Sequence, residues 1–432
     1  MKLVVIILLL SSNVYSQILV STSTDFIINQ GAQVITNGGV EISSGSIINN
    51  GFFQVTRNST LPNTGNFQLN TLTTVSGDGY FKIEQDWIND GNYACDQSTV
   101  ELYGNLKQLI TSSNNTSTLF HNLILTGIGI GNDRKKELTG VNASTDITGE
   151  LYINDRELST LSNSFYVSNP QNSAVHFDAT FQDEGFVSSL SPGYLWRETN
   201  NQSTYMFPVG SSDGMRRFRP VEINSQNTIQ NYFGVRLNNF NSDDDSFDRN
   251  LTDGLSKDLN PYFYHSIKGE ESNASIARIN IGYLGGDGVF SGIANWSQNK
   301  WVSCSNEIPN SIGNYNSLSQ DNLNLYTLFH PYILSNIDRT SDVYVPNTFT
   351  PDGEEFNNVF SPVFSDQSSF SDIELLIFDR WGELIFTGLG SGCFWDGYYN
   401  FTKCQDGVYT WTLNYSKTGI KKSLIGHVNL IK

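Results

Sequence analysis

Catalysis and metal binding need particular side chains at particular spacings, and this chain offers few such sets. Gly210-Ser211-Ser212-Asp213-Gly214 has the spacing Gly-x-Ser-x-Gly, in which a sharp strand-to-helix turn lifts a serine hydroxyl above an α/β sheet. Met215 to Pro220 follow, and the proline and adjoining β pattern leave no room for that helix. The run reads as a Gly/Ser turn between strands, and no catalytic residue is assigned. The densest acidic run, Asn241-Ser242-Asp243-Asp244-Asp245-Ser246-Phe247-Asp248, offers oxygen ligands of the kind calcium takes. An EF-hand loop needs Gly at its sixth position and Glu at its twelfth, and counting from Asp243 finds Asp248 and Gly254 there. That run reads as a solvated loop. Asp352, Glu354, Glu355 and Asn357 form a second oxygen-rich stretch. The histidines, His121, His176, His265, His330 and His427, lack His-x-x-x-His spacing, so zinc is not expected. His121 and His427 fall in expected strands as packed or hydrogen-bonded residues. No metal ligand and no cofactor site is assigned. Carboxylate pairs for glycoside hydrolysis leave no spacing to read.

Composition bounds the partners. Lys and Arg total 25 against 43 Asp and Glu, for a formal net charge of −18, so nucleic acid is not an expected partner. Four cysteines are too few for a disulfide scaffold in 432 residues. Cys393 and Cys404 are close enough in sequence to bridge neighbouring loops, whereas Cys95 and Cys304 give no metal spacing. Met1-Lys2, the apolar run Leu3 to Leu10, and Val14-Tyr15-Ser16 make a signal peptide over residues 1–16, with Gln17 opening the mature chain. The apolar run is too short to span a bilayer, which needs roughly 20 residues.

The elements that must carry any site are strands. Ser, Thr, Asn and Gly abound, aromatics reach 12% and charged residues only 16%, a profile suited to pleated faces and many turns. Apolar residues do not recur at helical spacing, so the chain is expected to be all-β. Over residues 17–168, short apolar strands alternate with Gly: Phe26-Ile27-Ile28, Val34-Ile35, Val40-Glu41-Ile42, Ile47-Ile48 and Phe52-Phe53-Gln54-Val55. This repeat-like region suits either a β-solenoid or a meander of hairpins with Asn37-Gly38 and Asn50-Gly51 as turns. The solenoid is favoured, because the repeats are shorter than hairpin pairs usually need. Leu119 to Leu125 reads as one longer strand, and Gly149 to Ile153 as another rung. From 169 to 340 the pattern changes to a β-sandwich, with strands expected at Val175–Phe177, Gly185–Val187, Tyr232–Leu237 and Ala277–Ile281.

Residues 343–432 hold the densest motif. Tyr409, Trp411, Leu413 and Tyr415 alternate with polar positions as a half-buried strand does. Seven or so strands in about 90 residues suit an immunoglobulin-like β-sandwich. Trp381, Trp395 and Trp411 then read as core and corner packing residues. The stretch opens Pro346-Asn347-Thr348-Phe349-Thr350-Pro351-Asp352-Gly353, followed by Asn357 and Phe360. Arg380-Trp381-Gly382, Trp395-Asp396-Gly397 and Gly407-Val408-Tyr409-x-Trp411 come next, and Gly426, Val428, Leu430, Ile431 and Lys432 close it.

These blocks resemble the gliding-motility-associated C-terminal domain, the type B sorting domain of the type IX secretion system of Bacteroidota. The family's Gly-Asp-Gly step is replaced by Gly353-Glu354-Glu355, and its Asp after Asn357 by Asn358. The resemblance covers about a fifth of the chain. It implies export through the periplasm, recognition by the outer-membrane type IX translocon, and release or attachment at the cell surface. For residues 17–340 the expectation is a non-enzymatic structural or adhesive protein that meets surface polysaccharide or other cell-surface proteins. The alternative is a secreted glycan-binding protein or hydrolase.

Overall fold

In the computed structural model the chain is described over residues 19–21, 24–59, 64–113, 117–140, 145–304, 308–326, 331–337, 343–353, 357–364, 370–417 and 420–431. The expected signal peptide, His330, Glu354, Glu355 and Lys432 lie outside them. The described residues form strands, turns and three short 3-10 segments, with no α-helix. The chain divides into two compact units, Met1–Ile337 and Asp338–Lys432.

The first unit begins as a wound stack. Thr24–Ile28 pairs in parallel with Gly45–Asn49, Gln33–Asn37 with Phe52–Thr56, and Val40–Ile42 with Phe67–Leu69. Each strand thus pairs with the third one after it, and the chain turns through three sheets per coil. Hairpins would give antiparallel neighbours, so Asn37-Gly38 and Asn50-Gly51 are corners between sheets rather than hairpin turns. Alternation at period two sends one residue in two inward. Phe53, Phe67, Phe81, Trp87 and Phe120 are fully buried and form a continuous aromatic column along the coil axis. Corner polar side chains satisfy the neighbouring coil: Asn49 Nδ2 donates to the Tyr80 carbonyl at 3.1 Å, and Gln108 Nε2 to that of Ile83 at 3.1 Å. Such bonds are required because an unpaired buried polar group costs about 1–3 kcal/mol.

Two expectations change. Leu119 to Leu125 is not one strand. Thr118–Phe120 pairs with Thr145–Ile147, whereas Asn122–Leu125 pairs with Thr99–Leu102 in a different sheet. The chain turns a corner at His121 and Asn122 without a glycine, and Phe120 and Leu123 both still reach the core. The boundary expected at 168/169 also does not divide the fold. Val175–Phe177 pairs in parallel with Leu151–Asn154, and Phe186–Ser188 with Glu157–Ser159, so both are the last rungs of the stack.

The sandwich grows directly from the stack. Leu195–Thr199 pairs in parallel with Phe165–Val167 on one side and antiparallel with Asn231–Asn238 on the other. That sheet continues through Tyr264–Gly269, Pro331–Ile337, Gly292–Ser297 and Lys300–Ser303. A second, five-stranded sheet of Thr204–Phe207, Val221–Ser225, Ile276–Tyr283, Tyr315–Asn324 and Ile308–Ile312 faces it. Val221, Ile223, Ile279 and Leu318 from one sheet and Phe233, Val235, Ile267 and Leu334 from the other belong to one core, continuous with that of the stack.

The second unit is a β-sandwich-like domain. Its main sheet runs Thr348–Phe349, Ile420–Leu430, Gly407–Lys417, Phe370–Phe378 and Leu384–Leu389. Two ribbons, Val343–Tyr344 with Val363–Phe364 and Tyr398–Tyr399 with Thr402–Lys403, complete it. Its core is its own, built from Phe349, Phe360, Leu375, Ile377, Trp395, Trp411, Leu413, Val428 and Leu430.

Candidate functional site

In the first unit, the residues singled out for chemistry serve local structure. Gly210–Ser211 pairs antiparallel with Arg217–Phe218, so the serine run leads into a two-stranded ribbon. In the acidic run, Asp243 pairs with Arg249 at 3.2 Å, Asp245 accepts from the Tyr264 hydroxyl, and Asp248 accepts from the Asn250 amide at 2.8 Å. Among the described residues no group of His, Cys, Asp and Glu is placed to hold a metal ion. His265 is fully buried, its Nε2 lies 2.9 Å from the Arg219 carbonyl, and burial pushes its pKa down to about 4. His121 lies 3.2 Å from the Thr148 hydroxyl, and His176 stacks flat on Tyr152 at 4.2 Å. His427, expected to be packed or hydrogen-bonded, is exposed on its strand. Burial drives the Cys304 thiol up to about 12, which suppresses the reactive thiolate.

One acidic and aromatic grouping does form, on the sheet shared by stack and sandwich. Ser168 Oγ lies 2.7 Å from both Asp146 oxygens, and the Tyr232 hydroxyl reaches Ser168 at 2.9 Å and Glu198 at 2.8 Å. Tyr166 stacks parallel to Trp196 beside them at 5.9 Å. Sequence spacing gave no sign of this set, because its members come from four strands or strand ends. A depression of about 310 Å³ lies elsewhere, lined by Arg249, Asn250, Thr252, Ser256, Lys257, Asp258 and Leu259.

In the second unit the motif blocks converge. Thr348–Phe349 adds in parallel to the last strand, and the Asn347 carbonyl accepts the Asn429 amide at 2.8 Å. Phe349 packs on Phe360 at 6.1 Å and on Trp395 at 5.3 Å. Phe360 and Trp395 exchange backbone hydrogen bonds at 2.8 and 2.9 Å, and Trp395 Nε1 donates to the Tyr398 carbonyl at 3.0 Å. Tyr409 packs edge-on against Trp395 at 5.0 Å while its hydroxyl donates to the Gln405 carbonyl at 2.7 Å. Val408, between them in sequence, is exposed, as is Gly407.

The loop after Phe349 is pinned by its own polar groups. The Thr350 amide donates to the Asn357 carbonyl at 2.8 Å, and the Gly353 amide to Asn358 Oδ1 at 2.7 Å. Asp352 is exposed on this loop, and Pro351 is half-buried, its carbonyl accepting from Lys403 Nζ at 3.3 Å. Pro346 is half-buried at the entry. Asp396 caps the Tyr398 amide at 3.0 Å. Gly397 has φ +81°, and a Cβ there would lie 3.0 Å from Leu430 Cδ1 and 3.2 Å from Pro351 Cγ. Gly426 sits opposite Trp411, and a Cβ there would come within 2.4 Å of the indole. Most of the motif is therefore packing and turn geometry.

Two more expectations fail in this unit, besides that for His427. No disulfide joins Cys393 and Cys404. Cys393 is buried with its carbonyl accepting from Ser361 Oγ at 2.9 Å, while Cys404 is half-buried near the Tyr409 hydroxyl, so the two loops are secured without a bridge. Trp381 is not a packing residue: it is 82% exposed. It sits on the turn Asp379–Gly382, where Asp379 Oδ1 accepts the Trp381 amide at 2.9 Å and the Glu383 amide at 2.8 Å. Arg380 lies over its ring at 5.4 Å, and Gly382 takes φ +83°. The Tyr399 hydroxyl donates to Glu383 Oε1 at 3.0 Å, joining this turn to the neighbouring Tyr398–Lys403 hairpin.

Residues 343–430 match the family model of the CHU_C type IX secretion signal domain. No curated protein and no solved structure matched the chain. The match covers the second unit and none of the first. A type IX secretion signal domain marks its chain for export to the cell surface or the medium and implies contact with the type IX machinery.

Proposed function

We propose that the chain is a structural or adhesive surface protein whose second unit is its export address and whose first unit is the cargo. The observation that carries the export half is the signal-domain match at residues 343–430, which coincides with a unit having its own core. A signal that folds by itself can be read whatever cargo precedes it. Passage through the periplasm follows from the expected signal peptide. The non-enzymatic reading of the cargo is supported by the employment of its singled-out polar residues in turns, caps and ion pairs. A coiled stack continuing into a sandwich gives a long regular surface, the kind that repeat proteins use for binding.

The second reading, glycan binding, is favoured by Tyr166, Tyr232, Asp146 and Glu198 on the sheet shared by stack and sandwich. Aromatic faces stack on sugar rings, and carboxylates accept from paired hydroxyls. Purified residues 17–337 tested against insoluble and soluble polysaccharides separate a binding cargo from a hydrolase, the other form of the alternative. Retention without release of reducing ends is expected of an adhesive or glycan-binding cargo, and steady release of reducing ends would overturn it. For the export half, a reporter carrying residues 338–432 should reach the medium or cell surface of a bacterium with a type IX system. A reporter retained inside would contradict it.

A further inference from the structure

The second unit carries two bulky aromatics that its fold does not use. Trp381 is 82% exposed and Phe401 is 103% exposed, each at the tip of a turn. Phe401 also sits where a phenylalanine is unwelcome. Asn400 and Phe401 form the two-residue loop between Tyr398–Tyr399 and Thr402–Lys403, with φ of +48° and +63°. Such hairpin loops favour Asn, Asp and Gly because both residues must be left-handed, and for a bulky side chain that conformation is a true outlier. Asn400 suits its place; Phe401 is strained there and packs on nothing. The two turns belong together, since Tyr399 bonds Glu383 across them. Two cations flank the aromatics, beside the Asp379 and Glu383 carboxylates of the same turn: Arg380 lies against Trp381, and Lys403 lies 5.9 Å from the centre of the Tyr398 ring. Both cations are exposed on a chain whose net charge is −18.

We propose that Trp381 and Phe401, rimmed by Arg380 and Lys403, are the surface through which the signal domain docks onto a protein of the type IX export machinery. The docking partner presents an apolar pocket with an acidic edge. This rests on the export reading, because a signal domain must be read from outside and its packed motif residues are unavailable to a reader. Exposed aromatics anchored on short rigid turns lose little entropy on burial and are the usual anchors of interfaces, with Arg beside them.

The test uses full-length protein in a bacterium with a functional type IX system, with surface and medium fractions quantified. The double variant Trp381→Ala/Phe401→Gly is expected to cut export roughly tenfold or more. Phe401→Gly suits the left-handed backbone, so the purified 338–432 unit should melt no lower than its parent when it carries that change. The charge reversal Arg380→Glu/Lys403→Glu is expected to cut export as well. Full export of the double variant, while the chain lacking residues 338–432 is not exported, would overturn the docking surface and leave the export reading standing. Full export of the truncated chain would overturn the export reading itself. Sedimentation of the 338–432 unit with phosphatidylcholine–phosphatidylglycerol vesicles, lost in the double variant, would assign the aromatics to lipid and also overturn the proposal.

Discussion

Trp395 is fully buried and packed against Phe349 and Tyr409, so Trp395→Ala should destabilise the second unit by about 3–5 kcal/mol in urea denaturation. Trp381→Ala should change it by no more than about 0.5 kcal/mol, as surface substitutions do. Equal losses would contradict the division of the motif into packed and presented residues. A second residue-scale case is Lys136, buried in the coil stack with Nζ bonded to the Gly104 carbonyl at 2.8 Å and to Gln108. Burial, reinforced by Arg156, lowers its pKa from 10.5 to about 7. Between those two values the unfolded chain holds the extra proton, so this group makes stability rise with pH; below the folded value its burial costs most. The stability of Lys136→Met relative to the parent should therefore be greater at pH 6 than at pH 9, and an equal difference at both would refute the lowered pKa. The motif residues were legible as a set through their resemblance to a known family, and periodicity alone marked only the strand of Tyr409, Trp411, Leu413 and Tyr415. Which tryptophan faced outward was not, since Trp381 and Trp395 each precede a glycine-bearing turn, and only the tertiary packing separates them. Phe401 was invisible because a hairpin loop without glycine carries no turn signal.

At the scale of elements, which side chains face inward came from the period-two alternation, and corners came from glycine. Where a corner lacks glycine, as at His121 and Asn122, two strands read as one. The parallel pairing of every third strand was only partly legible, since short Gly-punctuated strands suit hairpins as well. Pairing partners are set by packing across coils. Corners also test how closely the coils approach. A Cβ on Gly104 would come within 2.1 Å of the Glu84 carbonyl oxygen, whereas one on Gly285 would meet nothing within 4 Å. Gly104→Ala should thus destabilise the first unit by about 1–3 kcal/mol, as overpacking does, and Gly285→Ala should stay within about 0.5 kcal/mol. Thermal melts of the two variants showing equal shifts would contradict the close coil contact.

For the whole molecule, two separate cores imply two unfolding events. The transition lost when the chain ends at Ile337 should be the one that Trp395→Ala weakens. The junction of stack and sandwich within the first unit was not legible as a continuation. The change in texture near Asn169-Pro170 looks like a boundary in sequence, yet Leu195–Thr199 serves both architectures as a single strand. The role of the second unit is tested most directly by expressing the chain with and without residues 338–432 in a bacterium with a type IX system, then fractionating cells, surface and medium. Full-length protein at the surface or in the medium, with the truncated chain held inside the cell, is the expected result; truncated protein exported as well as the full chain would contradict it.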